Sequence, residues 1–453
     1  MPHTFYGGVH PSTFKTLASD RPAKKAYIPR KVVLPLLQHA GSPAEPVVTV
    51  GSSVKVGDMI ARPSGHVSAA IHASIGGRVT RMAHSPTRVQ PRVLSITIES
   101  QGGEDQDFKA LRPARDADSL PSEELLAIVR AAGIVGLGGA VFPTHVKLGT
   151  PKTRSVDTVI LNGAECEPYL ACDHRIMLEK SAEILKGLEI IAKIVDAKNI
   201  YIAIEDNKQS AIYAMQRAVE ALAAARQPRP GQPRRKFTAP QAKIVALPTK
   251  YPQGAEKQII KVLTGREVPA GGLPMDVGCI AQNVGTAFAV YEAVASGKPL
   301  IERVITVTGS CVREPVNVWV RMGTMLPELV GYLGGLAKEP AMVIVGGPMT
   351  GVAQYTMDIP VTKGFSGVVF MSKEDLDESE ESVCIRCGRC VDACPMKLVP
   401  TALMYRVKHE IFDEAQQLGI TNCYECGACA YTCPAKIPLL DYMKYGKSRV
   451  ITV

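Results

Sequence analysis

The feature that most constrains this chain is a cysteine string that occurs twice near its end, CIRCGRCVDACP and CYECGACAYTCP. Cys384, Cys387, Cys390 and Cys394, followed by Pro395, are spaced C-x2-C-x2-C-x3-C-P, and Cys423, Cys426, Cys429 and Cys433, followed by Pro434, repeat that spacing. A [4Fe-4S] cubane needs four thiolates. The C-x2-C-x2-C turn wraps three of them around one cluster, while the cysteine before proline reaches across to the other. The predicted ligand sets are therefore crossed: Cys384, Cys387, Cys390 and Cys433 for one cluster, and Cys423, Cys426, Cys429 and Cys394 for the second. Zinc sites rarely use this triple spacing, and disulfides fit it less well still.

Between the two strings, Leu403, Tyr405, Val407, Ile411, Ala415 and Leu418 stand among helix-favouring residues, so helices rather than a hairpin are expected to join the clusters. Met396, Leu398 and Met404 are placed to keep water from the cubanes, whose potentials depend on burial, hydrogen bonding and local charge.

The chain has 453 residues, 46% of them hydrophobic, enough for three or four domains, each with its own core. No run approaches the length of apolar sequence a membrane helix needs, and the opening MPHTFYGGVHP lacks a signal-peptide core, which makes the cytosol the expected compartment. Eight cysteines in cluster spacing agree with a reducing environment. The other four, Cys166, Cys172, Cys279 and Cys311, are scattered and read as small buried groups. The formal charge of +9 is compatible with an acidic membrane surface or an acidic electron carrier. Nucleic acid is a poor fit, because the one concentrated basic run, RQPRPGQPRRK at 226–236, carries three prolines and no aromatic residue and reads as a solvated loop.

Residues 1–30 form a proline-punctuated arm expected to pack along a neighbour. Over residues 31–100, short β-rich runs alternate with glycine turns, which predicts a small antiparallel barrel. Its phrase VGSSVKVGDMIARPSGHVSAAIHASIGGRV is similar to the hammerhead of biotinyl and lipoyl carriers, but the turn at Ser64, Gly65 and His66 has no lysine to modify. His66, His72 and His84 lack the paired spacing of a metal set. Residues 101–118 are polar and read as a linker.

The next domain, residues 119–298, opens with a helix from Pro121 and then the stretch GIVGLGGAVFPTHVKL. Its four glycines at Gly133, Gly136, Gly138 and Gly139 let main-chain N–H groups approach a phosphate. The runs TVILNG, NIYIAIED and AKIVALP alternate with helices expected at about 176–195 and 210–225, which predicts a largely parallel sheet. Ligands bind at the carboxyl ends of such strands. Asn162, Glu165 and Glu167 follow one strand and Tyr251, Gly254 and Glu256 another, so Glu165, Glu167 and Glu256 are candidates for one crevice; the bland alternative is that these acids cap helices.

At these residues the chain resembles a known family. GLGGAVFPTHVKL is similar to the GRGGAGFPTGxKW flavin loop of the flavoprotein subunit of respiratory complex I and NAD-linked hydrogenases, NGAECEPYLACDHR to its NxDExEPGxxKDR, YPQGAE to YxxGEE, and QNVGT to NNVET. From TFYGGVHP to the twin cysteine strings the chain also resembles the C subunits of the Rnf/Rsx electron-transport complexes.

The resemblance implies a multidomain α/β protein. Its parts are a hammerhead-like β-barrel, a Rossmann-like domain for FMN and NAD(H), an SLBB β-grasp module over 299–371, and an α-helical ferredoxin domain with two [4Fe-4S] clusters over 383–446. It implies that Gly136, Gly138, Gly139 and Lys147 hold the FMN phosphate and ring edge, that Asn162, Glu165, Tyr251, Gly254, Asn283 and Thr286 line the rest of the flavin, that Phe142 stacks near the nicotinamide, and that Glu167 and Glu256 contact NAD(H). Leu137 replaces the arginine of the flavin loop and Ala164 the aspartate of NxDE. The implied partners are the other subunits of such a complex, an iron–sulfur subunit and membrane subunits, with ferredoxin reached indirectly. The implied place is the cytoplasmic face of the inner membrane.

VIVGGPMTG at 343–351 is glycine-rich but lacks a lysine, so it is not read as a second phosphate loop, and the acidic stretch 372–382 reads as a flexible linker. Two rival readings are a stand-alone cobalamin reductase, whose flavin motifs lie near the N-terminus, and an adaptor that keeps the clusters as a wire without flavin.

Overall fold

The computed structural model describes residues 4–25, 27–103, 105–109, 116–149, 155–225 and 240–451; the basic run 226–236 and part of the linker 101–118 lie outside them. After the arm, short strands form two antiparallel sheets. Lys31–Pro35, Val93–Glu99, Gly77–Ser85 and Ser53–Val54 make one, and Glu45–Pro46, Met59–Arg62 and Ile71–His72 the other. Val32, Leu34, Ile60, Ile71, Ile96 and Ile98 alternate inward and are fully buried between them. The barrel also buttresses the flavin-type loop of the next domain: Arg88 Nη2 donates to the Gly139 carbonyl at 3.1 Å and Ala40 N–H to that of Val141 at 3.1 Å.

Beyond the linker, four parallel strands stand in the order Lys243–Leu247, Asn199–Glu205, Thr158–Gly163, Cys279–Asn283. The three runs expected to be strands are strands. The fourth, CIAQN, was not expected, because its mixed composition lacks both alternation and a β-branched run. The single helix expected over about 176–195 is two, Cys172–Glu179 and Ser181–Val195, since Lys180 leaves helical geometry at φ −133° and ψ 27°. The break lets the first piece set its N-terminus on Glu165 while the second lies against the helix Val284–Ser296.

That second contact depends on Gly187, where an added Cβ would fall 1.8 Å from the Ala287 carbonyl oxygen. Gly187→Ala must push two buried helices apart, at the upper end of the roughly 1–3 kcal/mol that overpacking costs. The expected result is a clear drop in the unfolding midpoint, whereas an unchanged midpoint would mean the helices are not held this close.

A fourth sheet is mixed. Val316–Arg321, Glu302–Thr308, Gly367–Met371, Met342–Val345 and Val352–Ala353 lie side by side, with Lys24–Lys25 of the arm added in parallel on the outer edge. The arm therefore packs along its own chain. Gly8 N–H donates to the Ala393 carbonyl at 2.8 Å, Val9 bridges to Tyr251, and Asn317 Nδ2 donates to the Ala18 carbonyl at 2.7 Å.

The cysteine region is helical, as expected, with Pro400–Lys408 and Phe412–Gln417 between the strings and Leu439–Ile451 closing it. Its acidic approach is anchored rather than free. Asp375 accepts from Ser310 and from Ser372 N–H, Asp377 pairs with Lys436, and Ser382 N–H donates to the Ala435 carbonyl at 2.9 Å.

Candidate functional site

The two cysteine strings fold as near copies. Arg386, Gly388 and Lys397 have positive φ, and so do Glu425, Gly427 and Lys436 at matching positions of the second string. These left-handed residues turn the chain tightly and aim N–H groups at sulfur: Glu425 N–H lies 3.4 Å from Cys423 Sγ and Leu398 N–H 3.4 Å from Cys394 Sγ. Cys394, Cys423, Cys426 and Cys429 line one cavity, walled otherwise by Pro395, Met396, Leu398, Leu403, Leu440 and Met443 among others. Four thiols from both strings facing one apolar space fit a cubane, whose sulfurs are the only polar groups it requires. Cys390 packs in a cluster with Cys433, Ile437 and Leu439, while Cys384 and Cys387 lie at the surface beside Val383, 84% exposed. Burial raises the thiols of Cys423, Cys426 and Cys429, so in the absence of metal they are protonated.

The glycine loop lies at the carboxyl ends of the parallel strands. Leu137 N–H donates to Thr286 Oγ1 at 2.9 Å, and the Leu137 carbonyl accepts from Arg303 Nη2 at 3.1 Å. A guanidinium therefore supports the loop even though Leu137 stands where the resemblance expects arginine. It comes from the neighbouring sheet, at a sequence distance no local motif reveals. Gly138 lies against Asn283, and Gly139, at φ +109°, has open space where a Cβ would be. Lys147 pairs with Glu256 and donates to the Ala281 carbonyl at 2.6 Å. Asn162 Nδ2 donates to the Gly254 carbonyl at 2.8 Å, and a Cβ on Gly254 would strike the Ala164 carbonyl at 2.3 Å. Phe142 stands 37% exposed at the lip of the loop.

An open backbone cradle with a lysine beside it suits a phosphate-bearing flavin. Buried polar atoms without a partner, Thr144 Oγ1 and Gln282 Nε2, sit in the segments that adjoin the loop and Asn283.

Three predicted residues are placed differently from the rest. Glu165 takes the helix-capping role: it accepts from Asp173 N–H at 2.9 Å and His174 N–H at 3.4 Å, at the start of Cys172–Glu179. Glu167 turns toward the glycine-rich stretch 343–351, accepting from Met349 N–H at 2.6 Å and from Thr350 N–H and Oγ1 at 3.1 and 3.0 Å. Burial raises its carboxyl, against those hydrogen bonds. Tyr251 is buried, and its hydroxyl donates to the Cys426 carbonyl at 2.7 Å.

Around that hydrogen bond Val9, Tyr251, Met349, Ala393 and Ala428 form one apolar cluster with Cys166 and Cys426 at its edge. The segment 251–254, whose Gly254 carbonyl accepts from Asn162, is thus tied through Tyr251 to Cys426 of the cysteine cavity. Sequence reasoning missed Arg88, Arg303 and Asp173, and also Lys15, whose Nζ donates to the carbonyls of Glu167 and Leu170 at 2.7 and 2.5 Å. Only Asp173 carried a local signal, inside the phrase NGAECEPYLACDHR.

Comparison with known proteins agrees along the chain. Family models described as the RnfC barrel sandwich hybrid domain, the Nuo51 FMN-binding domain, the SLBB domain and the 4Fe-4S dicluster domain match residues 3–103, 129–292, 304–353 and 377–434. The chain is 45% identical to the C subunit of the proton-translocating ferredoxin:NAD(+) oxidoreductase complex of Clostridium ljungdahlii, over 99% of this chain and 94% of that one. It is 39% identical to the C subunit of the Na(+)-translocating complex of Acetobacterium woodii, over 99% and 97%. To the C subunit of the ion-translocating oxidoreductase complex of Rhodobacter capsulatus it is 41% identical, over 98% and 82%. An NAD+-reducing [NiFe]-hydrogenase in its H2-reduced state shares the fold, with a TM-score of 0.53 at 18% identity over 74% of this chain and 65% of that chain. With twin cysteine strings, a flavin-type glycine loop and full-length relatives at this identity, the chain belongs to the family of C subunits of ion-translocating ferredoxin:NAD(+) oxidoreductase complexes.

Proposed function

We infer that this chain is the subunit at which two-electron and one-electron transfer meet in an ion-translocating ferredoxin:NAD+ oxidoreductase complex, working with FMN, NAD(H) and two [4Fe-4S] clusters. The observation that carries the reading is the hydrogen bond from Tyr251, in the segment that also supplies Gly254 to Asn162, to Cys426 of the cysteine cavity. FMN, when bound, exchanges hydride with NAD(H) and single electrons with the clusters.

The chain's own residues position these groups. Gly136, Gly138 and Gly139 bring main-chain N–H groups to the phosphate with Lys147 as the cation, and Asn162, Gly254, Asn283 and Thr286 shape the cradle. Phe142 and Glu256 face the side where a nicotinamide enters. Glu165 and Glu167 act as supports, holding the helix start and the 343–351 loop. Cys394, Cys423, Cys426 and Cys429 hold the cluster nearer the flavin; Cys384, Cys387, Cys390 and Cys433 hold the outer one, with its exposed rim toward partner subunits. Among the described residues no helix is long and apolar enough to cross a membrane. Ion movement is accordingly assigned to membrane subunits, with this chain on the cytoplasmic face.

Anaerobic reconstitution with iron, sulfide and flavin counting tests this reading. Two clusters and one FMN, both bleached by NADH, are expected; clusters without flavin, or flavin that NADH cannot reduce, would defeat it. Tyr251→Phe provides a narrower test. It removes one hydrogen bond, worth about 1 kcal/mol, and is expected to leave flavin and iron content intact while slowing cluster reduction after the flavin is bleached. Unchanged cluster kinetics would mean this hydrogen bond does not set the transfer geometry.

A further inference from the structure

Beside the cradle lies a carboxylate pair that the hydride chemistry does not use. Asp173 and Glu165 meet at the start of the helix Cys172–Glu179, where ligand atoms of Glu165, Cys172 and Asp173 all lie within 4.8 Å of one another. Glu165 is saturated by main-chain N–H groups and by the Cys172 thiol at 3.5 Å. Asp173 Oδ2 accepts from Asn283 Nδ2 at 2.6 Å, and Asn283 is the side chain against which Gly138 of the glycine loop rests. One side chain therefore separates Asp173 from the backbone that faces the flavin.

Among the described residues no cation makes an ion pair with either carboxylate. Arg303, which lines the same cavity as Asp173, donates to the carbonyls of Leu137, Val304 and Lys363. Lys15, from the arm, is spent on those of Glu167 and Leu170, and Lys208 pairs with Glu205. His174 turns to Ser210 at 3.0 Å. Along the same cavity Glu292 and Glu302 are neutralised by Lys298 and Arg321. Asp173 thus shares its buried surroundings with a second carboxylate. Burial first, and the Glu165 charge second, push the Asp173 carboxyl well above the usual carboxylate range.

We propose that Asp173 and Glu165 form a redox-linked proton site, binding one proton when the flavin gains negative charge and returning it when the electrons leave. The inference rests on the flavin reading above. With FMN bound, hydride from NADH would supply two electrons and one proton there and release NAD+, and the carboxylate pair would take up one further proton from water. When the two electrons passed singly to the clusters, the pair would release its proton along with the one delivered as hydride, so that two electrons and two protons would leave together. Asp173 acts here through the field it shares with the flavin and is a positioning residue, not a catalytic one.

The test is the pH dependence of the flavin midpoint potential near neutrality in the reconstituted chain, paired with the infrared difference spectrum of reduction. With the pair intact the potential falls with rising pH at the slope of two protons per two electrons, and a protonated-carboxyl band grows on reduction and shifts when aspartate is isotopically labelled. In Asp173→Asn, and in Glu165→Gln, the slope drops toward one proton per two electrons and the band is lost. Labelling requires no variant, so it decides even if a variant fails to bind flavin. Bound flavin with an unshifted band, or with the full slope kept in Asp173→Asn, overturns the proton site alone. A chain that binds no flavin defeats the flavin reading instead.

Discussion

Cys394→Ala is expected to remove the cluster of the second cysteine string, not that of its own. Cys394 lines the cavity with Cys423, Cys426 and Cys429, whereas its sequence neighbour Cys390 packs with Cys433. Losing the fourth thiolate should therefore halve iron and sulfide, and the half that goes is the one beside Tyr251. NADH should still bleach the flavin in this variant, while the remaining outer cluster, cut off from the cradle, is reduced by dithionite and not by NADH. Cys433→Ala should behave in the opposite sense, keeping a cluster that NADH reduces. Iron analysis with electron paramagnetic resonance after each reductant separates the two. If the cluster surviving in Cys394→Ala is reduced by NADH, the ligand sets are not crossed.

Lys208→Met should be the most destabilising single change in the flavin domain. Lys208 and Glu205 are 2% and 1% exposed and pair at 2.5 Å, and Lys208 Nζ also reaches the Glu165 carbonyl at 3.2 Å and Asn207 Oδ1 at 3.1 Å. Removing one partner strands a carboxylate in the core, which costs about 3–5 kcal/mol. Glu205 is poorly placed to absorb the loss, because its Oε1 already has no hydrogen-bond partner. The effect is expected as a lowered unfolding midpoint and as loss of amide protection across the strand Asn199–Glu205. Pairing the change with Glu205→Leu should recover much of the stability, since well-packed apolar replacements of buried ion pairs are often neutral. A single variant as stable as the parent would mean that water reaches the pair.

Much of this molecule was legible from its residues because the relevant physics is local. A thiolate set spaced by two and three residues is fixed by the turn that carries it. A run such as TVILNG between helical segments has one comfortable place in a parallel sheet. A glycine loop opening toward strand ends can serve as an anion cradle wherever the rest of the chain goes. The failures were also local in origin. CIAQN carries no strand pattern, the helix break at Lys180 answers to what Glu165 and the helix Val284–Ser296 require on either side, and the acidic stretch after Met371 looked free because its partners Ser310 and Lys436 lie elsewhere.

The sequence by itself determined the cysteine chemistry, the flavin-type loop and the alternation of strands and helices, since each is written within a few neighbouring residues. Tertiary structure alone decided how those parts are joined. Tyr251 meets Cys426 across 175 positions, Glu167 meets Met349 across 182, and Arg303 supports Leu137 across 166. Such pairings follow from which apolar faces bury against each other, and a side chain's partner across a domain boundary exists only once that burial has brought the two surfaces together.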